Sequence, residues 1–360
     1  MGQSTPHYKL EELPPLREKI ETINILRQAN KSTAALAELK GIMKTIPNQE
    51  MLINAIVLQE AKDSSEIENI ITTQDELYKA LSVNKTKISA ETKEVVNYRK
   101  AIFQGFDLAK KQGFIKVNDI ISIQQELINN TAGIRSTPGT VLKNDTTGEI
   151  VYTPPQDKDE ILGLLTNFIN HYNQLDDDLS PLINLAILHY QFESIHPFYD
   201  GNGRIGRILN ILYLILNELI DVPILYLSSY ITKNKPEYYK LLNRTNLKGE
   251  WEEWILFMLK AIESTSKDTI SRITNIKNQL DKTIIQVQTK SPKIYRKELV
   301  ELLFEQPYSK IDYVVDKLSV ERKAASRYLK ELERIGVVES QKIGRETLYI
   351  NKELIEILKR

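Results

Sequence analysis

Hydrophobic positions along this chain recur mainly at helical spacing. Residues up to about Leu16 are polar around Leu13-Pro14-Pro15-Leu16 and read as an extended lead-in. Ile20, Ile23 and Leu26, then Leu36, Leu39 and Ile42, fall at helical intervals, and a further helix is expected from about Asn48 to Ile67 with Leu52, Ala55 and Ile56 on its apolar face. Thr73 followed by Glu76 predicts a capping box that opens the next helix. An amphipathic helix is expected over about Ser89–Gln112. Between Thr131 and Pro155 the period changes. Gly, Thr and Pro accumulate, and Thr140–Leu142 and Ile150–Tyr152 predict a hairpin with Asn144–Gly148 as its turn. Pro181–Ile195 is apolar on every side and predicts a core helix, with Ser180 as N-cap and Pro181 at the first position. A second apolar helix follows from about Arg204 to Leu219.

Beyond Trp251, Trp254, Leu256 and Leu259, which are expected to close the core, Ile273, Ile276, Leu280, Ile284 and Val287 form one stripe of a connector helix over about Ser264–Gln288. Three short helices (Arg296–Phe304, Lys310–Leu318, Val320–Ile335) and two β-prone runs (Val337–Ile343, Glu346–Ile350, with Gly344 between) then resemble a winged helix-turn-helix. The expected fold class is mainly α: a helical bundle with a β-hairpin, plus a small C-terminal winged-helix domain. The expected divisions are 1–95, 96–263, 264–290 and 291–360. On the third helix of the last module Ala325, Tyr328, Leu329, Leu332 and Ile335 are expected inward. Lys323, Arg327, Lys330 and Arg334 fall on the opposite face, with Lys342 and Arg345 on the wing. That face suits DNA, yet Glu321, Glu331 and Glu333 dilute it, so DNA and protein contact through 291–360 stand equal.

Composition narrows the classes. The 360 residues carry 48 basic and 48 acidic side chains, so there is no global bias toward nucleic acid or membrane. There is no cysteine, which excludes disulfides and Cys-based zinc sites. The four histidines, His7, His171, His189 and His196, are too scattered for a His-rich metal site, and His189 is expected to be a hydrogen-bonded core residue. The first residues lack an apolar signal core, and Pro6 stands where a myristoylation motif wants Ser or Thr. The longest apolar run, Ile208–Leu216, is interrupted by Asn210 and too short to span a bilayer. A cytoplasmic protein without membrane contact is expected.

Candidate chemistry concentrates in His196–Arg207, H-P-F-Y-D-G-N-G-R-I-G-R, between the two apolar helices. Gly201 and Gly203 allow the backbone to aim N–H groups at a ligand from close range. The following helix adds its unpaired N–H groups and positive dipole end. Arg204 and Arg207, three apart, can clamp phosphate oxygens. Asp200 is a hard oxygen ligand suited to Mg²⁺ on phosphates, and His196 can take a proton near neutral pH. The run reads as a nucleoside triphosphate–Mg²⁺ site with a general base. Further on, Tyr239 and Asn246 lie two helical turns apart on one face. An aromatic and an amide suit adenine and ribose, though such a pair more often serves packing and capping.

This run resembles the signature of the Fic family, H-P-F-x-[D/E]-G-N-G-R-x-x-R, at every position. The resemblance implies a helical fold and transfer of AMP from ATP to a Ser, Thr or Tyr hydroxyl of a protein target or of the chain itself. It implies His196 as general base, Asp200 as Mg²⁺ ligand, and Gly201, Asn202 and Gly203 at the α-phosphate. It also implies Arg204 and Arg207 at the outer phosphates, with Ile205 and Gly206 counted in the same nucleotide-binding stretch. Tyr239 and Asn246 match positions that line the nucleoside pocket. The related Doc branch, which acts as a kinase, has Ala and Lys where this chain has Gly201 and Gly203. The hairpin matches one that pairs with the target segment as an added strand. Ser64-Ser65-Glu66-Ile67-Glu68-Asn69 resembles the inhibitory helix of one Fic subclass, in which the glutamate pairs with the second arginine of the signature, here Arg207. The alternatives are a DNA-binding regulator whose Fic site only senses nucleotide, and a relative that uses another nucleotide. A homodimer is an open expectation.

Overall fold

The computed structural model describes residues 10–46, 49–82, 88–143, 148–174, 178–343 and 345–359, with backbone alone at positions 50 and 51. The hairpin turn at 144–147, Gly344, and the N-terminal segment that holds His7 lie outside the described residues. In chain order come α1 (Arg17–Ile20), α2 (Ile23–Lys44), α3 (Gln49–Ile67), α4 (Gln74–Ser82), α5 (Ala90–Gln112), α6 (Val117–Ile128), β1 (Leu142–Lys143) and β2 (Ile150–Tyr152). Next are α7 (Lys158–Tyr172), α8 (Pro181–Ile195), α9 (Asn202–Leu216), α10 (Ser228–Lys233), α11 (Lys235–Lys248) and α12 (Trp251–Lys290). The chain ends with α13 (Lys297–Glu305), β3 (Tyr308–Ser309), α14 (Ile311–Leu318), α15 (Arg322–Arg334), β4 (Glu339–Ile343), β5 (Glu346–Ile350) and α16 (Lys352–Lys359). The mainly α class is as expected.

Several boundaries and faces differ from the pattern's forecast. Ile23 and Leu26 are exposed, and the inner face of α2 begins at Ile25 and Ala29. Two polar residues share that face, which a hydrophobic period does not flag: Ser32 donates to the Leu259 carbonyl (2.7 Å) and Gln28 to Glu263 (2.6 Å). The helix after the glycine loop starts at Asn202 and ends at Leu216, rather than spanning Arg204–Leu219, because Gly201 itself is the N-cap. The core-closing tryptophans and the expected connector are one helix, α12, since nothing between Trp251 and Lys290 breaks it. The first hairpin strand is shorter and shifted to Leu142–Lys143, with Leu142 opposite Tyr152 and an irregular step before Lys143 meets Ile150. The capping box at Thr73 forms as expected: Glu76 N–H donates to Thr73 Oγ1 and Thr73 N–H to Glu76 Oε2, both at 3.2 Å.

By internal contacts the chain forms two units: Met1–Lys40 with Asp63–Ile70 and Asn97–Lys267, and Gly41–Lys62 with Ile71–Val96 and Asp268–Arg360. The first is built around α8, on which every residue from Leu182 to Ile195 is buried. Each large apolar side chain so removed from water stabilises the fold by about 1.5–3 kcal/mol. α8 packs between α7 and α9. Tyr172 of α7 donates to the Leu209 carbonyl (2.7 Å), and the buried Trp254 donates through Nε1 to the Ala186 carbonyl (2.8 Å). His189 is a satisfied core residue, with Tyr238 on Nε2 (2.9 Å) and Asn210 on Nδ1 (3.1 Å), and burial depresses its pKa to about 3.

In the second unit three strands pair antiparallel in the order β3-β5-β4, with Glu339 opposite Ile350 and Ile343 opposite Glu346. α14 and α15 are joined by a tight turn in which Ser319 takes the left-handed conformation (φ 52°). Tyr308 stacks on Tyr78 of α4 with ring centroids 5.3 Å apart and donates to Asp75 (2.6 Å).

Candidate active site

α8 ends by placing His196 in the left-handed region (φ 48°, ψ 58°), its N–H bonded to the Phe192 carbonyl at 3.0 Å. The rigidity of α8 therefore reaches the histidine main chain directly. Pro197 cannot continue the helix, and Phe198 is buried beneath the loop as expected. The loop is closed by Asn202, whose side chain accepts from Phe198 N–H and donates to the Phe198 carbonyl, both at 2.8 Å. One N–H and one lone pair of the Asn202 amide thus serve loop shape. Gly201 stands at φ 84°, and a Cβ there would run into Leu127 and Ile128 of α6. Both conformation and close packing demand glycine at that position. α9 then points its N-terminal N–H groups at the same spot.

Arg204 and Arg207 are 2 % and 3 % exposed, so each is held in one orientation. Arg204 lies 3.3 Å from the exposed carboxylate of Asp200. Arg207 donates through Nε to Ser64 Oγ (2.7 Å) and through Nη2 to the Ser64 carbonyl (3.0 Å) and Glu68 Oε1 (2.7 Å). One guanidinium therefore closes the carbonyl end of α3 and binds the carboxylate just past it. Asn69 makes the turn possible by adopting φ 63°, a conformation Asn tolerates. The Glu68 carboxylate also lies over the glycine loop, since a Cβ on Gly203 would overlap Glu68 Oε1. Burial pushes the Glu68 carboxyl up, but Arg207, with help from Arg204 and His196, holds it below the usual carboxylate value. Desolvation pulls the Arg207 guanidinium down, but Glu68, together with Tyr98, Glu193 and Tyr238, more than offsets it, so the guanidinium holds its proton more firmly than an ordinary arginine.

His196 is half-buried. Desolvation first, and the charge of Arg135 second, bring its pKa down to about 4, so the imidazole is neutral at pH 7. The Glu193 carbonyl opposes this shift. Glu193 is itself buried against Gly206, and desolvation raises its carboxyl to about 8.

Tyr239 and Asn246 do not share an open face. Tyr239 is exposed beside Tyr238, whereas Asn246 is buried and its carbonyl oxygen accepts from Tyr190 (2.7 Å) and Ser194 (3.1 Å). For Asn246 the packing alternative left open by the sequence describes the geometry. Arg135, Glu193 and Tyr199 also bear on the site but were not singled out from the sequence. Arg135 sits among turn residues that read as solvated, Glu193 within an otherwise apolar helix, and Tyr199 at the variable position of the signature.

Residues 26–107 match the description Fic/DOC family N-terminal, 114–214 match Fic/DOC family, and 280–354 match Protein adenylyltransferase SoFic-like, C-terminal domain. A Fido domain-containing protein of Dictyostelium discoideum is 33% identical over 129 residues, 34% of this chain and 84% of that protein. The chain belongs to the Fic/DOC family. The protein adenylyltransferase fic-1 of Caenorhabditis elegans is 29% identical over 163 residues, 44% of this chain. This Fic chain spans 29% of the length of that relative. In fold it is similar to a Fic family protein from Desulfovibrio desulfuricans, with a TM-score of 0.60 at 17% identity over 92% of this chain and 96% of that one. It is also similar to Fic-1 of Caenorhabditis elegans, with a TM-score of 0.54 at 20% identity over 71% of this chain and 74% of that one.

Proposed function

We propose that this Fic protein transfers AMP from ATP to a hydroxyl side chain of a protein, and that the arrangement described is its inhibited form. The observation that carries the reading is the Glu68 carboxylate bound to Arg207 at 2.7 Å and lying over Gly203. Negative charge there occupies the ground that the outer phosphates of a productively held ATP need. A nucleotide that enters beside it is turned out of line for attack at its α-phosphorus, and small misplacements cost large rate factors. With Glu68 withdrawn, Arg207 and Arg204 hold the outer phosphates. The N–H groups at Gly201–Gly203 and the start of α9 receive the α-phosphate.

Neutral His196 takes the proton from the target hydroxyl as its oxygen bonds to the α-phosphorus. The bond from that phosphorus to the β-phosphate bridging oxygen breaks, and pyrophosphate leaves. Asp200 suits Mg²⁺. Its carboxylate is 65% exposed. Mg²⁺ commonly takes one protein carboxylate and completes its shell with phosphates and water. Bound there, it would offset charge on the departing phosphates. Tyr239, exposed near the N-terminal half of α11, is the side chain we assign to the nucleoside. Intact-mass measurement of the Glu68→Gly chain with ATP and Mg²⁺ tests the reading. A gain of one adenylyl group on the chain supports self-modification, and gains on added proteins identify targets. UMP or phosphate gain from the matching nucleotide would favour the relative with another substrate.

A second reading concerns α15. Its exposed residues are Arg322, Lys323, Arg327, Lys330 and Arg334, all basic. Two acidic residues that dilute this face in sequence are turned aside: Glu331 bonds Arg334 (2.7 Å) and Ser291, and Glu333 accepts from Ser340 N–H (3.0 Å). A helix-turn-helix with a basic second helix and Lys342 and Arg345 on the following hairpin suits the DNA backbone and major groove. Gel-shift titration of the full chain against duplex DNA over a range of salt tests it, because phosphate contacts impose a steep loss of affinity with salt. No helix among the described residues is long and apolar enough to cross a membrane.

A further inference from the structure

The segment Ile134–Thr137, which leads into the hairpin, is joined to the catalytic loop by a dense set of bonds. Ile134 and Phe198 form an antiparallel bridge, and Arg135 N–H donates to the Pro197 carbonyl at 2.9 Å. The Arg135 side chain is fully buried. Its Nε donates to the His196 carbonyl (2.7 Å), and its Nη2 to the Ile195 carbonyl (3.2 Å) and to the Pro155 carbonyl on the far side of the hairpin. Tyr152 of β2 donates to the Ser194 carbonyl at 3.0 Å. From the loop side, the Tyr199 hydroxyl accepts from Ser136 N–H (2.9 Å) and Thr137 N–H (3.3 Å) and lies 2.7 Å from Thr137 Oγ1.

A general base is usually oriented by a hydrogen bond on its second ring nitrogen. For His196 the Glu193 carbonyl, in the last turn of α8, acts on the ring in this sense. The imidazole is held further through its main chain, which sits in a left-handed conformation that β-carbon sterics disfavour. Arg135 satisfies the carbonyls on which that conformation depends, and its planar fork reaches the end of α8 and both flanks of the hairpin together. Building on the transfer reaction proposed above, we propose that Arg135 is a positioning residue that locks the hairpin base to the end of α8, so that the hairpin, to which the resemblance assigns target docking, and His196 move as one piece. The charged groups that face His196 are Arg135 from the hairpin base, Glu68 from beyond α3 and Asp200 from its own loop. Arg135 is the cationic one that most disfavours protonation of the ring.

The test separates charge from geometry. The full chain carrying Glu68→Gly, alone and with Arg135→Lys, Arg135→Met or Tyr152→Phe, is labelled with ¹³C-histidine, and the His196 signal is assigned by its loss in His196→Ala. AMP incorporation from labelled ATP·Mg²⁺ is followed in parallel. Arg135→Met is expected to raise the His196 titration midpoint by about one unit. Arg135→Lys, which keeps the charge and loses the fork, is expected to leave the midpoint low while lowering kcat about 100-fold with KM for ATP unchanged. Tyr152→Phe, which removes a single bond, is expected to lower kcat less. An unmoved midpoint in Arg135→Met, or a wild-type kcat in Arg135→Lys, overturns the proposal. If Arg135→Met does not fold, wild-type kcat in both other variants overturns it. A Glu68→Gly chain that incorporates no AMP refutes the transfer reading instead, and the titration still tests the link between Arg135 and His196.

Discussion

Two basic surfaces of this protein use arginine in opposite ways. At the start of α9, Arg204 and Arg207 are buried, and Arg207 donates to Ser64 Oγ, the Ser64 carbonyl and Glu68. On α15 the basic side chains are exposed, and Arg322 and Arg334 pair with neighbouring surface carboxylates, Asp312 and Glu331. A buried guanidinium is desolvated and preorganised, so it can align a phosphate and reward an exact anion geometry. An exposed one is screened and mobile, so its contribution is weak, additive and salt-dependent. The same residue type therefore supports a proposed reaction site in one region and a proposed docking face in the other.

The sharpest way to break this contrast is to remove the proton acceptor between helix and loop. In the Glu68→Gly chain, His196→Ala is expected to lower AMP incorporation by about 10²–10⁴-fold with unchanged circular dichroism. Retained activity would remove the base from the account. The next largest effect comes from one substitution made in both regions. Arg207→Lys loses the fork that spans Ser64 and Glu68, and is expected to lower stability by about 2 kcal/mol. Arg327→Lys on α15 is expected to stay within about 0.5 kcal/mol. Equal denaturant midpoint changes would erase the distinction.

A smaller effect is expected with pH. The folded-state pKa of Glu68 is depressed, so its stabilising pair with Arg207 is complete above the ordinary carboxylate value of 4.5 and is lost as pH falls through the lowered one. The melting-temperature gap between wild type and Glu68→Gln should therefore be constant from pH 7 to about 5 and close below that. A gap that persists into strong acid would place the stabilisation elsewhere. Smallest of all, Lys323→Ala and Lys330→Ala should each reduce the salt slope of DNA binding by about one and leave AMP transfer untouched. Full chain that fails to shift DNA at low salt would end that reading.

Much of the candidate site is legible in the sequence because its residues lie within twelve positions between two strongly apolar helices. Ser64 and Glu68 were legible only through their resemblance, since a carboxylate at a helix end is ordinary in composition. Their meeting with Arg207 joins positions 143 and 139 residues apart, which no local pattern shows. Arg135 was illegible for the opposite reason: lone arginines in Gly-, Thr- and Pro-rich segments are usually solvated, and its burial comes from carbonyls at 155, 195 and 196, distant in sequence. Asn246 shows the limit of helical spacing, because two residues on one face can differ in exposure when a neighbouring helix covers one end of the stripe. The register of α2 slipped where Gln28 and Ser32 faced inward, since pattern reading counts polar residues as outward by default.

The measurement closest to the centre of this account is intact-mass analysis of the Glu68→Gly chain against wild type, after both are incubated with ATP and Mg²⁺. Freeing Arg207 should raise AMP incorporation about 100-fold, seen as adenylyl adducts on the variant and few on wild type. Equal incorporation by both chains, or phosphate in place of AMP, would contradict it.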